Sequence, residues 1–161
     1  MEMSNYSRRN FVKTSSVVSA GTLLSVPHIA NAQNSSKTLK VGLIGIGGRG
    51  SGAAAQAMAA DDNVALTAIG DLFEDRIKLR SRILKARGRE KFQVTPETTF
   101  TGFDAYKKVI DSGVDVVILT SPPNFRPQHL EYAVEKGVHC FFEKPVAVDA
   151  PGVRKVIELA K

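Results

Sequence analysis

The sequence predicts an α/β fold, a doubly wound parallel sheet with helices on both faces. Between residues 39 and 161, short apolar runs alternate with amphipathic segments of helical periodicity, as expected for repeated strand–helix units. The run at 114–119 consists almost entirely of β-branched and apolar residues, which is typical of a parallel strand covered on both faces. Turns rich in glycine or proline follow several of these runs. Because ligands of such folds bind beyond the carboxyl ends of the strands, these turns are the candidate functional region.

The first part of the domain is predicted to contain two strand–helix units and a short third strand. The predicted elements are a strand at 39–44, an alanine-rich helix at 52–60, a strand at 63–69, a charged helix from 73 to about 85 and a strand at 98–101. Small alanine side chains allow the first helix to approach the sheet closely. In the second helix, Phe73, Ile77 and Leu84 are expected to face inward, because their spacing follows one helical face.

The second part is predicted to contain three helices and two strands. The predicted elements are a helix beginning near Asp104, a central strand at 114–119, a helix beginning near Pro127, a strand at 139–142 and a final helix capped by Asp149. The side chains expected to face inward are Phe103, Tyr106 and Ile110 in the first helix, Leu130, Ala133 and Val134 in the second, and Val153, Val156, Ile157 and Ala160 in the third. Gly137 is expected to end the second of these helices.

The net charge of +6 does not indicate a nucleic-acid partner. Many of the basic residues fall at 76–91, where they spread around a predicted helix with no interleaved aromatic residue, so a solvated face is favoured over a phosphate-binding patch. Cys140 is the single cysteine, which excludes an intrachain disulfide, and its apolar neighbours predict a buried rather than a reactive thiol. The three histidines lack the spacing of a shared metal site, so no metal is expected.

Residues 1–32 resemble a twin-arginine export signal. Arg8 and Arg9 precede a mildly apolar stretch, and Ala30 and Ala32 form the small-x-small pattern that signal peptidase cleaves. The apolar stretch is too short and too rich in small polar residues to span roughly 30 Å of hydrocarbon comfortably. The sequence therefore predicts a periplasmic protein with a polar leader at 33–38 and no stable membrane insertion after cleavage.

A glycine-rich motif connects the first strand to the first helix. Residues 45–50 read GIGGRG and match the pattern GxGxxG between a strand and a helix. In this setting Gly45 permits a tight turn, Gly47 lets the backbone approach a pyrophosphate, and Gly50 allows the helix to pack against the strand. The predicted cofactor-binding residues of this turn are Gly45, Ile46, Gly47, Gly48, Arg49 and Gly50.

Asp71 ends the second predicted strand, 21 residues after Gly50. An acidic side chain at this point can accept hydrogen bonds from the adenosine ribose hydroxyls of a dinucleotide. The carboxylate would also repel a 2′-phosphate, so NAD is favoured over NADP, and Arg49 and Arg76 are the residues that could reverse this preference. A role for Asp71 as the N-cap of the helix starting at Phe73 stays open and is compatible with the first role.

Two more candidate segments follow the fourth and fifth predicted strands. The segment SPPN at 121–124 has paired prolines that stiffen a loop expected beside the cofactor, with Ser121, Pro122 and Asn124 as cofactor-binding residues. The segment EKP at 143–145 places Lys144 where it could donate a hydrogen bond to a substrate hydroxyl or carbonyl oxygen as hydride moves. Taken alone, Glu143 and Lys144 are more typical of a surface salt bridge.

Together with Asp71 and the leading signal, VGLIGIGGRG at 41–50 and DVVILTSPPNFRPQHLEYAVEKGVHCFFEKPVAV at 115–148 resemble the Gfo/Idh/MocA oxidoreductases. The likeness runs from about Lys40 to Lys161. It implies an NAD(P)-binding Rossmann domain and hydride transfer between a nicotinamide and a sugar, polyol or related carbonyl. It places Lys144 in the family's catalytic lysine position and Glu143 where it would orient that lysine, and both residues are also counted as cofactor-binding. It also implies a cis peptide bond before Pro145 and puts His129 near the nicotinamide.

The resemblance also implies parts that are not in these 161 residues. Family members continue with a sixth Rossmann strand and a substrate domain that supplies the proton-transfer residue. Residues 39–161 are therefore expected to be a cofactor domain truncated before the substrate domain, inactive alone and part of a homo-oligomer at full length. Because twin-arginine cargo is exported folded, we expect a tightly held NAD that is recycled within the enzyme. An NAD-dependent glycosidase of the same fold and a non-catalytic nucleotide-binding subunit are the alternative functions.

Overall fold

Five parallel strands form the centre of the domain, which the computed structural model describes for residues 37–161. The strands are β1 (Leu39–Ile44), β2 (Val64–Asp71), β3 (Thr99–Thr101), β4 (Val116–Leu119) and β5 (His139–Phe142). Their order in the sheet is β3-β2-β1-β4-β5, so the order reverses at β1 and the ends of β1 and β4 meet at the reversal. The predicted signal at 1–32 and residues 33–36 of the leader lie outside the described residues.

Helices cover both faces of the sheet, which confirms the predicted doubly wound α/β fold. They are α1 (Gly48–Ala60), α2 (Glu74–Gly88), α3 (Ala105–Asp111), α4 (Arg126–Glu135) and α5 (Ala150–Leu159). One apolar cluster joins the sheet to α1 and α2, and a second cluster joins it to α3, α4 and α5. Neighbouring residues of β1 contribute to different clusters, because Leu43 belongs to the first cluster and Ile44 to the second. This follows from the alternation of side chains along a strand and explains why both residues are apolar.

The predicted strands agree closely with the observed ones, and the differences fall at helix starts. The helix α1 begins at Gly48 rather than at 52, because the end of the glycine-rich turn is already helical. Phe73 was expected to face inward but is 46% exposed, since it is the extended N-cap residue of α2 and does not share the helical face of Ile77. Phe103 is 73% exposed for a similar reason, because it lies in the turn before α3.

Four more side chains predicted to face inward are exposed. Val134 of α4 and Val153 and Ile157 of α5 have large accessible fractions, whereas Val156 is buried. The helix α5 follows β5, an edge strand, and packs against α4. Within residues 37–161 the sheet therefore extends under only part of the apolar face of α5, and Ala160 is exposed as its C-cap residue.

The helix ends have specific stabilising groups. Asp149 accepts a hydrogen bond from the Gly152 N–H at 2.8 Å, which confirms it as the N-cap of α5. Gly137 has a φ of 67° just beyond α4, which confirms the predicted helix stop, because glycine adopts this conformation without steric cost. A third device was not predicted: Lys91 Nζ donates to the carbonyls of Met58 and Asp61 at the end of α1, each at 2.9 Å.

Cys140 is half-buried beneath the second apolar cluster rather than fully buried. Burial raises the pKa of its thiol to about 11. The thiol is therefore protonated at neutral pH. Because the thiolate is the reactive form of cysteine, this agrees with the expected unreactive role.

Two negative findings apply to the described part of the chain. No helix between residues 37 and 161 combines the length and apolar character needed to cross a membrane. In the same range, no three histidine, cysteine, aspartate or glutamate side chains come together as metal ligands.

The contact between α1 and the strand ends provides a test of the packing. A Cβ on Gly50 would lie 2.0 Å from the Gly45 carbonyl oxygen and 2.5 Å from Thr120 Oγ1. Gly50→Ala should lower the free energy of unfolding by about 2 kcal/mol or more in urea titrations, because the helix must move away from the turn.

Gly52→Ala is the matched control, since a Cβ there meets no atom within 4 Å. It should raise stability by roughly 0.5–1 kcal/mol, the helix-propensity difference between the two residues. Equal effects of the two substitutions would contradict the close contact at Gly50.

Candidate functional site

The turn at 45–50 joins β1 to α1 at the carboxyl edge of the sheet. Gly45 has a φ of 91°, and a Cβ there would lie 2.7 Å from the backbone nitrogen of Ser121. Its N–H donates to the Gly70 carbonyl at 2.8 Å, while Thr120 Oγ1 donates to the Gly45 carbonyl at 2.6 Å. The turn is therefore fixed between the ends of β2 and β4, and only glycine fits at position 45.

The outer side of the same turn is open. A Cβ on Gly47 would meet no atom within 4 Å, so a ligand can reach the backbone there. Gly47 is also the N-cap residue of α1 and gives the helix no side-chain hydrogen bond. The first N–H groups of α1 lack intrahelical acceptors and carry the positive end of the helix dipole. This combination fits a phosphate group, as the sequence motif predicts.

Asp71 connects the turn to β2. It is 9% exposed, and its Oδ2 accepts a hydrogen bond from the Ile46 N–H at 2.8 Å. Its Oδ1 accepts a second bond from the Phe73 N–H at 3.0 Å, although Phe73 itself is the N-cap residue of α2. A carboxylate has about four acceptor sites, so Asp71 can still accept from ribose hydroxyls while holding both N–H groups.

A cleft of about 290 Å³ lies at this edge of the sheet. The predicted site residues that line it are Gly45, Gly47, Asp71, Ser121, Pro122 and His129. The other predicted residues do not line the cleft. Ile46 and Gly50 are buried, Glu143 is partly buried, and the exposed ones are Gly48, Arg49, Asn124 and Lys144. The structure thus brings six of the predicted residues to one cavity and places the others around it.

His129 and Ser121 form a buried pair in the cleft wall. The Ser121 hydroxyl lies 3.0 Å from His129 Nδ1, and the imidazole stacks on the Tyr106 ring at a centroid distance of 4.1 Å. Burial lowers the pKa of His129 to about 4. The imidazole is therefore neutral near pH 7 and offers one donor and one acceptor nitrogen.

The segment 143–145 emerges from β5 beside the glycine-rich turn. The peptide bond between Lys144 and Pro145 is cis, as the resemblance implied. The Glu143 carboxylate forms an ion pair with Arg49 of the turn, and its orientation of Lys144 stays a prediction. The Arg49 guanidinium is also the main cause that lowers the pKa of Glu143. The ion pair connects the turn after β1 to the loop after β5 across the end of β4.

The comparison with protein families agrees with this geometry. The profile of a family described as "Oxidoreductase family, NAD-binding Rossmann fold" matches residues 39–161. The chain belongs to the Gfo/Idh/MocA oxidoreductase family. The family assignment confirms the resemblance drawn from the sequence and confirms NAD as the cofactor of this Rossmann domain.

Individual Gfo/Idh/MocA relatives carry two kinds of name. A glycosyl hydrolase family 109 protein of Shewanella pealeana is 26% identical over 96% of this chain and 37% of its own length. Inositol 2-dehydrogenase 4 of Saccharopolyspora erythraea is 32% identical over 77% of this chain and 33% of its own length. The chain thus spans about a third of the length of the curated relatives it matches.

A solved structure shows the same fold. Myo-inositol dehydrogenase from Lactobacillus casei, in complex with NAD(H) and myo-inositol, matches with a TM-score of 0.63 at 16% identity. The match covers 76% of this chain and 33% of that chain. At this identity the likeness concerns the fold alone, and it independently supports the Rossmann architecture of this Gfo/Idh/MocA chain.

Sequence reasoning missed several residues of the site. Phe73 and Phe103 line the cleft with exposed rings. The Arg76 guanidinium, which was named from the sequence only for its effect on the nucleotide preference, lies 4.6 Å from the centre of the Phe73 ring. Arg126 lines the cleft from the start of α4 and is 7% exposed. An arginine at a helix start opposes the helix dipole, and this was the one signal that could have indicated a specific role.

The buried histidine predicts a pH dependence of stability. Because the folded pKa of His129 is about 4 and its ordinary value is 6.5, the unfolded chain binds a proton that the folded chain does not. Stability should be full above pH 6.5 and should fall by roughly 3 kcal/mol as pH decreases to 4.

Urea titrations at several pH values test this expectation. His129→Gln should remove most of this loss between pH 6.5 and 4. His139→Gln, which replaces an exposed histidine of β5, is the control and should retain the loss. An unchanged pH profile in His129→Gln would show that other groups cause it.

Proposed function

We propose that this chain is the cofactor-binding portion of a periplasmic, NAD-dependent oxidoreductase that transfers hydride to or from a sugar, polyol or related carbonyl compound. One juxtaposition carries the proposal. Asp71 and the turn at 45–50 meet at the carboxyl edge of the sheet, where Lys144 follows β5. A dinucleotide bound along this edge would present a nicotinamide as the hydride carrier.

The residues present fit the dinucleotide. The open backbone at Gly47 and the N-terminus of α1 would hold the pyrophosphate, and Asp71 would accept from the adenosine ribose. The exposed rings of Phe73 and Phe103 supply apolar surface beside Asp71. Ser121, Pro122 and His129 line the same cleft next to β4 and would contact the other half of the ligand.

NAD is preferred over NADP in this proposal. The Asp71 carboxylate would repel a 2′-phosphate, and Arg49 is directed to Glu143 rather than to Asp71. Arg76 is then the arginine that lines the cleft on the ribose side, and its guanidinium rests on the Phe73 ring. A single guanidinium in a cleft that also holds a carboxylate would bind a 2′-phosphate more weakly than a cluster of cationic side chains would.

Lys144 is proposed as the catalytic residue. It is exposed at the end of β5, and the segment that carries it is fixed by the Glu143–Arg49 ion pair. Its Nζ can donate a hydrogen bond to a substrate oxygen and stabilise negative charge that develops there as hydride moves. The proton-transfer residue is assigned to a downstream substrate domain, and Asn124, exposed beside the cleft, is kept as a cofactor contact of the intact enzyme.

The substrate class and location rest on similarity and on the N-terminal segment. Inositol 2-dehydrogenase 4 shares 32% identity with this chain, which favours a polyol substrate. The twin-arginine pattern at 1–32 supports export to the periplasm, where free NAD is not supplied. We therefore propose that the enzyme retains NAD tightly and recycles it, and that it is a homo-oligomer at full length.

Asp71→Asn tests the nucleotide preference. Loss of a charged acceptor should weaken NAD binding by about tenfold or more, while the ratio of NAD to NADP affinity falls because repulsion of the 2′-phosphate is lost. Titration calorimetry with both nucleotides measures the two constants.

Asp75→Asn is the matched control, since it removes an exposed carboxylate in the first turn of α2. It should leave the ratio unchanged. A proportional loss of both affinities in Asp71→Asn would indicate damage to the turn instead of loss of ribose and phosphate discrimination.

Lys144→Met tests the catalytic assignment in the intact enzyme. The variant should still bind NAD but should reduce it with a polyol about 10²–10⁴-fold more slowly. Absorbance of the reduced nicotinamide measures the rate. Unchanged activity would contradict the catalytic role of Lys144, whereas no polyol-dependent reduction of NAD by the unsubstituted enzyme would favour a nucleotide-binding subunit without catalysis.

A second candidate is an NAD-dependent glycosidase, because the Shewanella pealeana relative named glycosyl hydrolase family 109 matches 96% of this chain. Such an enzyme would oxidise and re-reduce its substrate within one turnover. A hydrolysed glycoside without net formation of reduced nicotinamide would support the glycosidase. A net redox product would support the oxidoreductase.

A further inference from the structure

The loop that carries Lys144 is tied to the loop after β4 through one buried arginine. Arg126 Nε donates to the Ser121 carbonyl at 2.8 Å. Its Nη1 donates to the Pro145 carbonyl at 2.5 Å and also to the Glu143 carbonyl. The two carbonyls bound by Nη1 belong to the residues immediately before and after Lys144.

Arginine suits this position for geometric reasons. Its planar guanidinium presents several N–H donors in a fixed fork, so one side chain can bind carbonyls of two loops simultaneously. A lysine ammonium is a single point and cannot reproduce this spread of donors. Because Arg126 is 7% exposed, the three carbonyls also satisfy donors that would otherwise be buried without partners.

Helix stability does not explain the residue. Arg126 is the first residue of α4, and a cation at a helix N-terminus is unfavourable because it faces the positive end of the helix dipole. The positive charge of Arg126 is instead stabilised by the loop carbonyl oxygens that accept hydrogen bonds from its guanidinium. On the opposite side, Arg49 holds the Glu143 side chain, so main chain and side chain next to Lys144 are both anchored.

The Ser121 end of this connection reaches the cleft. The carbonyl of Ser121 accepts from Arg126, while its hydroxyl pairs with His129 in the cleft wall. Arg126 therefore links the wall of the cleft to the backbone on both sides of Lys144. A displacement of either loop would change the distance between Lys144 and a ligand in the cleft.

We propose that Arg126 is a positioning residue for Lys144, which it holds at a fixed place relative to the Ser121–His129 wall. The inference rests on the proposed catalytic role of Lys144 and the proposed NAD site. It adds a residue that acts through the backbone of the Lys144 loop and not by contact with the substrate.

The test follows Lys144 by NMR in the full chain, with its lysines dimethylated by isotope-labelled methyl groups. The Lys144 signal is assigned by its loss in Lys144→Arg. In the unsubstituted chain we expect NAD to shift this signal. In Arg126→Lys the shift should decrease by about threefold or more, because small displacements of a positioned group have large effects on its contacts. NAD should still bind, and the Lys161 signal should not change.

Two further variants complete the test. Arg154→Lys replaces an exposed arginine of α5 and should keep the full Lys144 response. Arg126→Ala should lose the response and regain it when guanidinium ion is added at a concentration too low to unfold the chain, which a general loss of structure would not allow.

Three results would overturn the inference. The first is a normal Lys144 response in Arg126→Lys, and the second is a failure of both Arg126 variants to fold, which would make the residue a general stabiliser. The third is failure of the unsubstituted chain to bind NAD, which would overturn the proposed function itself. In that case the Lys144 signal is compared in the absence of NAD. If Arg126→Lys leaves this signal unchanged, Arg126 does not position the Lys144 loop.

Discussion

The buried carboxylate of Asp71 accepts hydrogen bonds from the N–H groups of Ile46 and Phe73, and the rest of the site depends on this interaction. The first bond fixes the glycine-rich turn against the end of β2, and the second fixes the chain as it leaves β2 toward α2. Charged acceptors make hydrogen bonds of roughly 1.5–3 kcal/mol, enough to set the conformation of a short turn. The open face of Gly47 and the shape of the cleft both follow from it.

The loops at the other strand ends are joined by polar contacts of two arginine side chains. Beneath the edge, two apolar clusters hold the sheet to its helices. Above it, Arg49 connects the turn after β1 to Glu143 after β5, and Arg126 connects the loops after β4 and β5. A parallel sheet brings these loops to one side, and the two arginines then fix their relative positions. The Gfo/Idh/MocA site is therefore a group of short loops held by polar contacts on a rigid apolar base.

Much of this arrangement could be predicted from the sequence, because strands and helices are encoded by local periodicity. The strand 39–44, the stop at Gly137 and the cap at Asp149 depend on neighbours within a few residues, and all three are confirmed. The partners of Glu143 and Arg126 depend on which loops meet when the sheet closes, and no local pattern contains that information. The prediction that Phe73 faces inward was wrong because its spacing fits the helical pattern, whereas the helix begins only after it.

The most direct test of the account is an NMR titration of the isotope-labelled chain with NAD, following its backbone amide signals. The account predicts saturable shifts concentrated at 45–50, around Asp71 and at 121–129, with little change on the far side of the sheet near Lys91. Shifts centred elsewhere, or no saturable change, would contradict an NAD site at the carboxyl edge of this sheet.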